Sequence, residues 1–162
     1  MESVCQDLRS ILNCSLQETT SRFAGIHLCE QEAQLSDDVC TIHAVLETPR
    51  HITLLLYADV SLMARLAQNI MHQEVVTQRD IQDVAIEYFN VVCGRVAANM
   101  YRAARISSRF QTPKFFQGCY LPDGHPCSQC VLNFKGENME NVRLVCMAGQ
   151  CSNNTSLTCE PA

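Results

Sequence analysis

The stretch "DVAIEYFNVVCG", residues 83–94, sets three polar side chains, Asp83, Glu87 and Asn90, into an otherwise apolar run that ends on Gly94. A carboxylate accepts hydrogen bonds or pairs with a cation, whereas an amide donates and accepts at once and stays uncharged. In a helix turning roughly 100° per residue, positions 83, 87, 90 and 94 share an arc of about 60°. The apolar residues Ile81, Val84, Tyr88, Val91, Val92 and Val96 lie mostly elsewhere on the wheel. Taken alone, such a ridge reads as a solvated helix face. Asn and Gly are weak helix formers, however. Their placement on one exposed stripe of a strong helix points to a surface that something approaches closely.

A second set of residues could hold metal or do thiol chemistry. "HPCSQC" contains Cys127-x2-Cys130 preceded by His125, with Cys119, Cys146, Cys151 and Cys159 as further candidates. One such pair is a weak signal for structural zinc, whereas two correctly spaced pairs would be a strong one. The second pair here, Cys146-x4-Cys151, is loose. A redox role would want the motif at a helix N-terminus, and this one opens a strand after a turn. His43, His51 and His72 read as strand, turn and helix-end residues. No Ser–His–Asp arrangement, paired-carboxylate hydrolase site or Gly-rich phosphate loop emerges.

The elements that must position these residues are legible from patterning. Residues 2–13 carry apolar residues at helical spacing, and "SRFAGIHLCEQEAQ" reads as extended but polar. "VCTIHAVLETPRHITLLLYA" is two β-rich runs around a turn, a hairpin. "DVSLMARLAQNIMHQ" is helical, with Asp59 or Ser61 as its cap. Thr77 and Asp80 form a capping box with a shorter acid than usual, and Val76 and Ile81 fall at the positions of a hydrophobic staple. From there a helix can run to about Ala104. Strand-like runs follow: "SSRFQTPKFFQGCY", "CVLNFKGEN" and "VRLVCMAG". The expected fold class is α+β, a mostly antiparallel sheet with long helices packed on it. Residues 1–150 form a single domain in this reading and residues 151–162 a loose C-terminal tail.

Bulk properties narrow the function classes. The 162 residues suffice for one domain, and 47% hydrophobic against 18% charged residues is a globular balance. A formal net charge of −5 without a clustered basic face argues against nucleic acid. No apolar run is long enough to cross a membrane, and the opening residues are not expected to form a signal peptide, having neither a basic nor an apolar region. Eleven cysteines, an odd number, argue against a disulfide scaffold. The expectation is a cytoplasmic protein whose cysteines are mostly reduced, buried, small hydrophobes.

Asp83, Glu87, Asn90 and Pro113 together fit a longer pattern: Asp or Ser, three residues, Glu, two residues, Asn, 22 residues, Pro. This resembles the signature of the CheC/CheX/FliY family of chemotaxis phosphatases. The resemblance runs over residues 40–148, and hairpin, short helix, long helix and strand follow in the family's order. CheC and FliY carry a second motif in a repeated half. Here "RSILN" has Ser10 where that motif needs Glu, so one site and this length are most similar to CheX. Phe89 stands where family members often have Gly, beside the site, where a ring could tilt the docking surface.

The resemblance implies hydrolysis of the aspartyl phosphate of a CheY-type receiver domain. It assigns Asn90 to orienting the attacking water and Glu87 to pairing with the receiver's phosphate-pocket Lys. Asp83 and Gly94 would support the contact surface, and Pro113 would fix the entry of the next strand. The protein would need no metal or cofactor of its own, Mg²⁺ being supplied by the phosphorylated partner. The resemblance further implies a homodimer joined edge to edge through its sheets, for which "VCTIHAVLE" and "VRLVCMAG" are the expected edges. Phe89 leaves a second reading open, a non-catalytic receiver-binding module like the flagellar switch proteins.

Overall fold

The structure is a computed structural model that describes residues 2–47, 51–123 and 126–150. Three helices, α1 (Glu2–Ala24), α2 (Val60–Met71) and α3 (Gln78–Ala104), accompany seven strands. The strands are β1 (Cys29–Glu30), β2 (Val39–Glu47), β3 (Ile52–Asp59), β4 (Arg109–Phe110), β5 (Lys114–Gln117), β6 (Pro126–Lys135) and β7 (Asn141–Gln150). They make one sheet in the order β1-β6-β7-β3-β2-β4, and β5 also pairs with β2. Every pairing is antiparallel. The expected α+β class is the class found. The segment 151–162, expected as a loose tail, lies outside the described residues, as does the hairpin turn at 48–50.

Period-two alternation directs one row of each strand toward the helices. Ile42, Leu56 and Leu144 lie opposite one another across β2, β3 and β7, and Leu132 of β6 faces Leu144. They meet Leu12 and Leu16 of α1, Leu62 and Leu66 of α2, and Phe89, Val92 and Val96 of α3 in one buried core. The apolar run of β3 does not alternate because that central strand is buried on both faces. Its other row, Leu55 and Tyr57, joins Val145 beneath Leu35 and Tyr120. The Tyr57 hydroxyl donates to the Tyr120 carbonyl at 2.8 Å.

Three expectations are corrected. The first helix does not stop near residue 13 but continues to Ala24, and of the stretch read as extended only Cys29–Glu30 is strand. The cause is buried polar side chains that broke the apolar pattern. Ser15, Thr19 and Thr20 are buried. Their hydroxyls are satisfied inside the bundle: Thr19 donates to the Ser15 carbonyl at 2.7 Å, and the Thr20 and Tyr88 hydroxyls share a hydrogen bond. Gly25, at φ +65°, ends the helix.

The second correction concerns the sheet edges. β2 and β7, expected at the ends, are both interior, β2 between β3 and β4/β5, and β7 between β6 and β3. The long open edge belongs to β6 instead, where β1 pairs only with Phe134 and Lys135.

The third concerns Asp59. It is the N-cap residue of α2 but makes no side-chain cap hydrogen bond. Its buried carboxylate accepts from the Ser36 N–H at 2.9 Å and from the Asn141 N–H and side-chain amide at 2.8 and 3.0 Å. Burial pushes this carboxyl up, but the Ser36 and Asn141 hydrogen bonds outweigh it and hold the group below its ordinary value of 3.8. A depressed folded value means that the stabilisation is fully present above the ordinary value and is lost as pH falls through the folded one. Denaturant unfolding from about pH 6 to about pH 3 should therefore show wild type losing stability faster than Asp59→Asn, which starts lower. Parallel curves for the two proteins would refute this anchoring role.

Candidate functional site

The α3 start is built as its sequence requires. The Asp80 N–H donates to the Thr77 hydroxyl at 3.1 Å, and the Thr77 N–H donates to the Asp80 carboxylate at 2.9 Å. This capping box satisfies orphan amides of the first turn. The Gln78 side chain also donates to that of Gln117 at 2.9 Å, tying the same turn to β5. The helix buries Ile81, Val84, Ala85, Tyr88, Phe89, Val92, Cys93, Val96 and Met100. Rotation and depth of the opposite face are thereby set by the core.

On that opposite face Asp83, Glu87, Asn90 and Gly94 are all exposed, so the structure brings these four together on one ridge. Neither Glu87 nor Asn90 makes a side-chain hydrogen bond to another described residue. Among the described residues both present unengaged polar atoms, one turn apart, on a helix capped at its start. Asp83 lies 3.9 Å from Arg79 in an exposed pair that contributes little. No atom comes within 4 Å of where a Cβ on Gly94 would lie, so the backbone there is open to approach from outside. Pro113 is not on the ridge. It is buried in the connection between β4 and β5, two strands that contact α3.

Phe89, read from its neighbour as a ring beside the site, is 0% exposed and points into the core. Successive helical residues lie roughly 100° apart, so adjacency in sequence is not adjacency on a face. The exposed stripe also continues past Gly94, through Ala98 to Tyr101. The Arg105 guanidinium lies 5.4 Å from the centre of the Tyr101 ring. The spacing of 18 residues from Asp83, five full turns, carries this signal in the sequence, but the motif ends before it.

The amide that "RSILN" places on α1 is arranged differently. The Asn13 side chain donates to the Glu30 carboxylate and accepts from Gln17 at 2.6 Å. Arg9 pairs with the same Glu30 at 2.5 Å. Asn13 is thus engaged at both ends by its own chain, while Asn90 is engaged by no described side chain. Among the described residues, no group of three or more His, Cys, Asp or Glu side chains could hold a metal ion.

Several solved structures share this chain's overall fold. CheX from Desulfovibrio desulfuricans superposes with a TM-score of 0.75 at 12% identity, covering 87% of this chain and 98% of that one. CheX from Vibrio vulnificus gives 0.72 at 17% identity, over 87% and 95%. The fold is that of the CheC/CheX/FliY chemotaxis proteins. A CheX of Borrelia burgdorferi, in complex with CheY, BeF3 and Mg²⁺, shares it with a TM-score of 0.73 at 9% identity, over 87% and 97%. At these identities the likeness to CheX is one of fold. No protein-family model matches the sequence, and no curated protein matches it either. The CheX-like fold carries the Glu87–Asn90 ridge on the outward face of its longest helix, clear of the sheet. No helix among the described residues is long and apolar enough to cross a membrane.

Proposed function

We propose that this protein hydrolyses the aspartyl phosphate of a CheY-type receiver domain. The observation that carries the reading is the pairing of Glu87 and Asn90: exposed, free of other side chains and one turn apart, on a capped helix of a CheX-like fold. An aspartyl phosphate is a reactive mixed anhydride. In the receiver's own pocket, bound Mg²⁺ and a Lys neutralise the phosphoryl oxygens. What remains is to place one water in line with the P–O bond, and positioning alone can lower a barrier substantially.

Asn90 suits that task. Its carbonyl can accept from the water and its NH₂ can donate to a phosphoryl oxygen, with no charge to repel a dianion. Glu87, one turn toward the N-terminus, pairs with the receiver's Lys and sets the register of the amide. Asp83 adds to the acidic start of the ridge, and Gly94 leaves room for the partner's backbone. Pro113, being buried, acts through the path of β5 and not through contact.

The rival reading, a module that binds receivers without catalysis, drew its support from Phe89. With that ring in the core, Phe89 does not stand beside Asn90, and the support it lent to the module falls away. The test is to mix the protein with phosphorylated receivers and follow phosphate release. Decay above the spontaneous rate supports the phosphatase, and binding without faster decay supports the module.

We also propose a homodimer. Outward of Asn133 toward Cys130 the outer side of β6 has no strand partner among the described residues and meets only the Arg9 side chain, which donates to the Val131 carbonyl at 3.3 Å, and an edge without a strand partner invites pairing with a second copy. Pairing there leaves the α3 ridge facing outward on both protomers. Light scattering should give about twice the monomer mass of 18.2 kDa. A strict monomer, or a dimer in which Asn90 becomes inaccessible, would overturn this assembly.

A further inference from the structure

Cys14, Cys29, Cys40, Cys93, Cys119, Cys130 and Cys146, seven of the chain's cysteines, are free thiols, and the Glu87–Asn90 ridge uses none of them. Of these seven, two are direct partners across adjacent strands. Cys130 of β6 lies opposite Cys146 of β7. Both belong to the row that faces the helices, since Leu132 and Phe134 on β6 and Val142 and Leu144 on β7 are buried in the core beside them. Cys146 is buried, whereas Cys130 is partly accessible on the sheet's outer long strand. The other paired cysteines face something else, Cys40 meeting Ala58 and Gln117, and Cys29 meeting Lys135.

The type of pair follows from the ladder. The Gly136 N–H donates to the Glu140 carbonyl at 2.9 Å, and Asn133 turns its carbonyl away from β7 to accept from Gln31 at 3.1 Å. Counting back by twos, Cys130 and Cys146 occupy a hydrogen-bonded position. The Cα atoms of such a pair are about 5.5 Å apart, within the range of about 4.4–6.8 Å that disulfides span. The Cβ atoms of such a pair lie about 5.5 Å apart, against about 3.8 Å in a relaxed disulfide, so closure must draw them together by about 1.7 Å. A bond closed under such strain is a readily reduced one.

We propose that Cys130 and Cys146 are a reversible thiol-redox site that closes to a cross-strand disulfide under peroxide. Burial, with Cys130 beside it, pushes the Cys146 thiol up to about 12, which leaves the more accessible Cys130 to react first. The Cys130 thiolate attacks one oxygen of hydrogen peroxide, breaking the O–O bond and forming a sulfenic acid while hydroxide departs. The Cys146 sulfur then attacks the Cys130 sulfur, and the S–OH oxygen leaves with the Cys146 proton as water. Overall two thiols and one peroxide give one disulfide and two waters. The two sulfurs are oxidised and the peroxide is reduced.

The experiment uses the full chain, first reduced and then exposed to limiting hydrogen peroxide. Remaining thiols are blocked with a maleimide, and the protein is digested with trypsin. Cys130 falls in the peptide 115–135 and Cys146 in the peptide 144–162, and fragmentation separates them from Cys119, Cys127, Cys151 and Cys159. The expected main product is a Cys130–Cys146 link, with an intact mass lower by two hydrogens, lost on adding dithiothreitol. Cys130→Ser should abolish that link and leave Cys146 blocked by maleimide. Wild-type protein in which Cys130 gains oxygens while Cys146 stays a free thiol would overturn the proposal. So would a main link from Cys130 to any other cysteine, and neither result depends on whether a variant folds.

Discussion

Asn90→Ala is expected to slow hydrolysis of a phosphorylated receiver by about 10²-fold or more while changing affinity for a BeF3-charged receiver by less than about twofold. The asymmetry follows from the geometry. Asn90 is exposed and engaged by no described side chain, so its removal costs the fold almost nothing and leaves no buried group unpaired. In the docked complex the amide would touch only water and a phosphoryl oxygen, and its contribution appears where that water attacks. Asn90→Asp should be no better than alanine, because a carboxylate repels a dianionic phosphoryl group and cannot donate. Glu87→Ala should behave differently, weakening affinity and rate together, since its partner is a Lys of the docked receiver and loss of that pair strands a charge. Phosphate release, corrected for the receiver's spontaneous decay, and a binding isotherm for each variant separate the two roles. Equal rates for wild type and Asn90→Ala would end the water-orienting assignment and promote the binding-module reading.

The contrast between Asn90 and Phe89 shows which features were legible and why. The ridge was readable because an amphipathic helix writes its orientation into local sequence. Ile81, Val84, Tyr88 and Val92 name the buried side, and the capping box at Thr77 and Asp80 names the start. The β-rich run of β2 was readable because its residue types favour strand locally. Other features depend on partners distant in sequence. Ser15 and Thr20 made the second half of α1 look polar, but their hydroxyls meet Asn99 and Tyr88 of α3. Asp59 was recognisable as a cap position, but Ser36 and Asn141 claim its carboxylate. The order of strands in the sheet is likewise a matter of non-local pairing, so β2 and β7 could pass for edges until β4, β5 and β6 were placed against them. Phe89 was misread for a different reason. It was assigned to the ridge by adjacency to Asn90, when the helical period had already turned it toward the core.

Phe89→Ala is therefore expected to act on stability and not on docking. The side chain is 0% exposed and is among the largest fully buried groups in the protein. It packs in the main core with α1, α2 and the helix-facing rows of the sheet. Truncating a buried Phe to Ala removes transfer energy and leaves a cavity, together about 3–5 kcal/mol, out of the roughly 5–15 kcal/mol that stabilises an ordinary domain. A glycine there would add about 1 kcal/mol of backbone cost in mid-helix, so it is no neutral exchange in this chain. Phe89→Leu keeps most of the volume and should lose no more than about 1.5 kcal/mol. For each variant, denaturant unfolding gives the stability, and phosphate release measured well below the unfolding transition gives the rate per folded molecule. The expected pattern is a large stability loss for Ala, a small one for Leu, and rates per folded molecule close to wild type for both. Stability near wild type in Phe89→Ala, combined with altered affinity for the receiver, would place the ring at the docking surface after all. It would also require α3 to be rotated relative to the core described here.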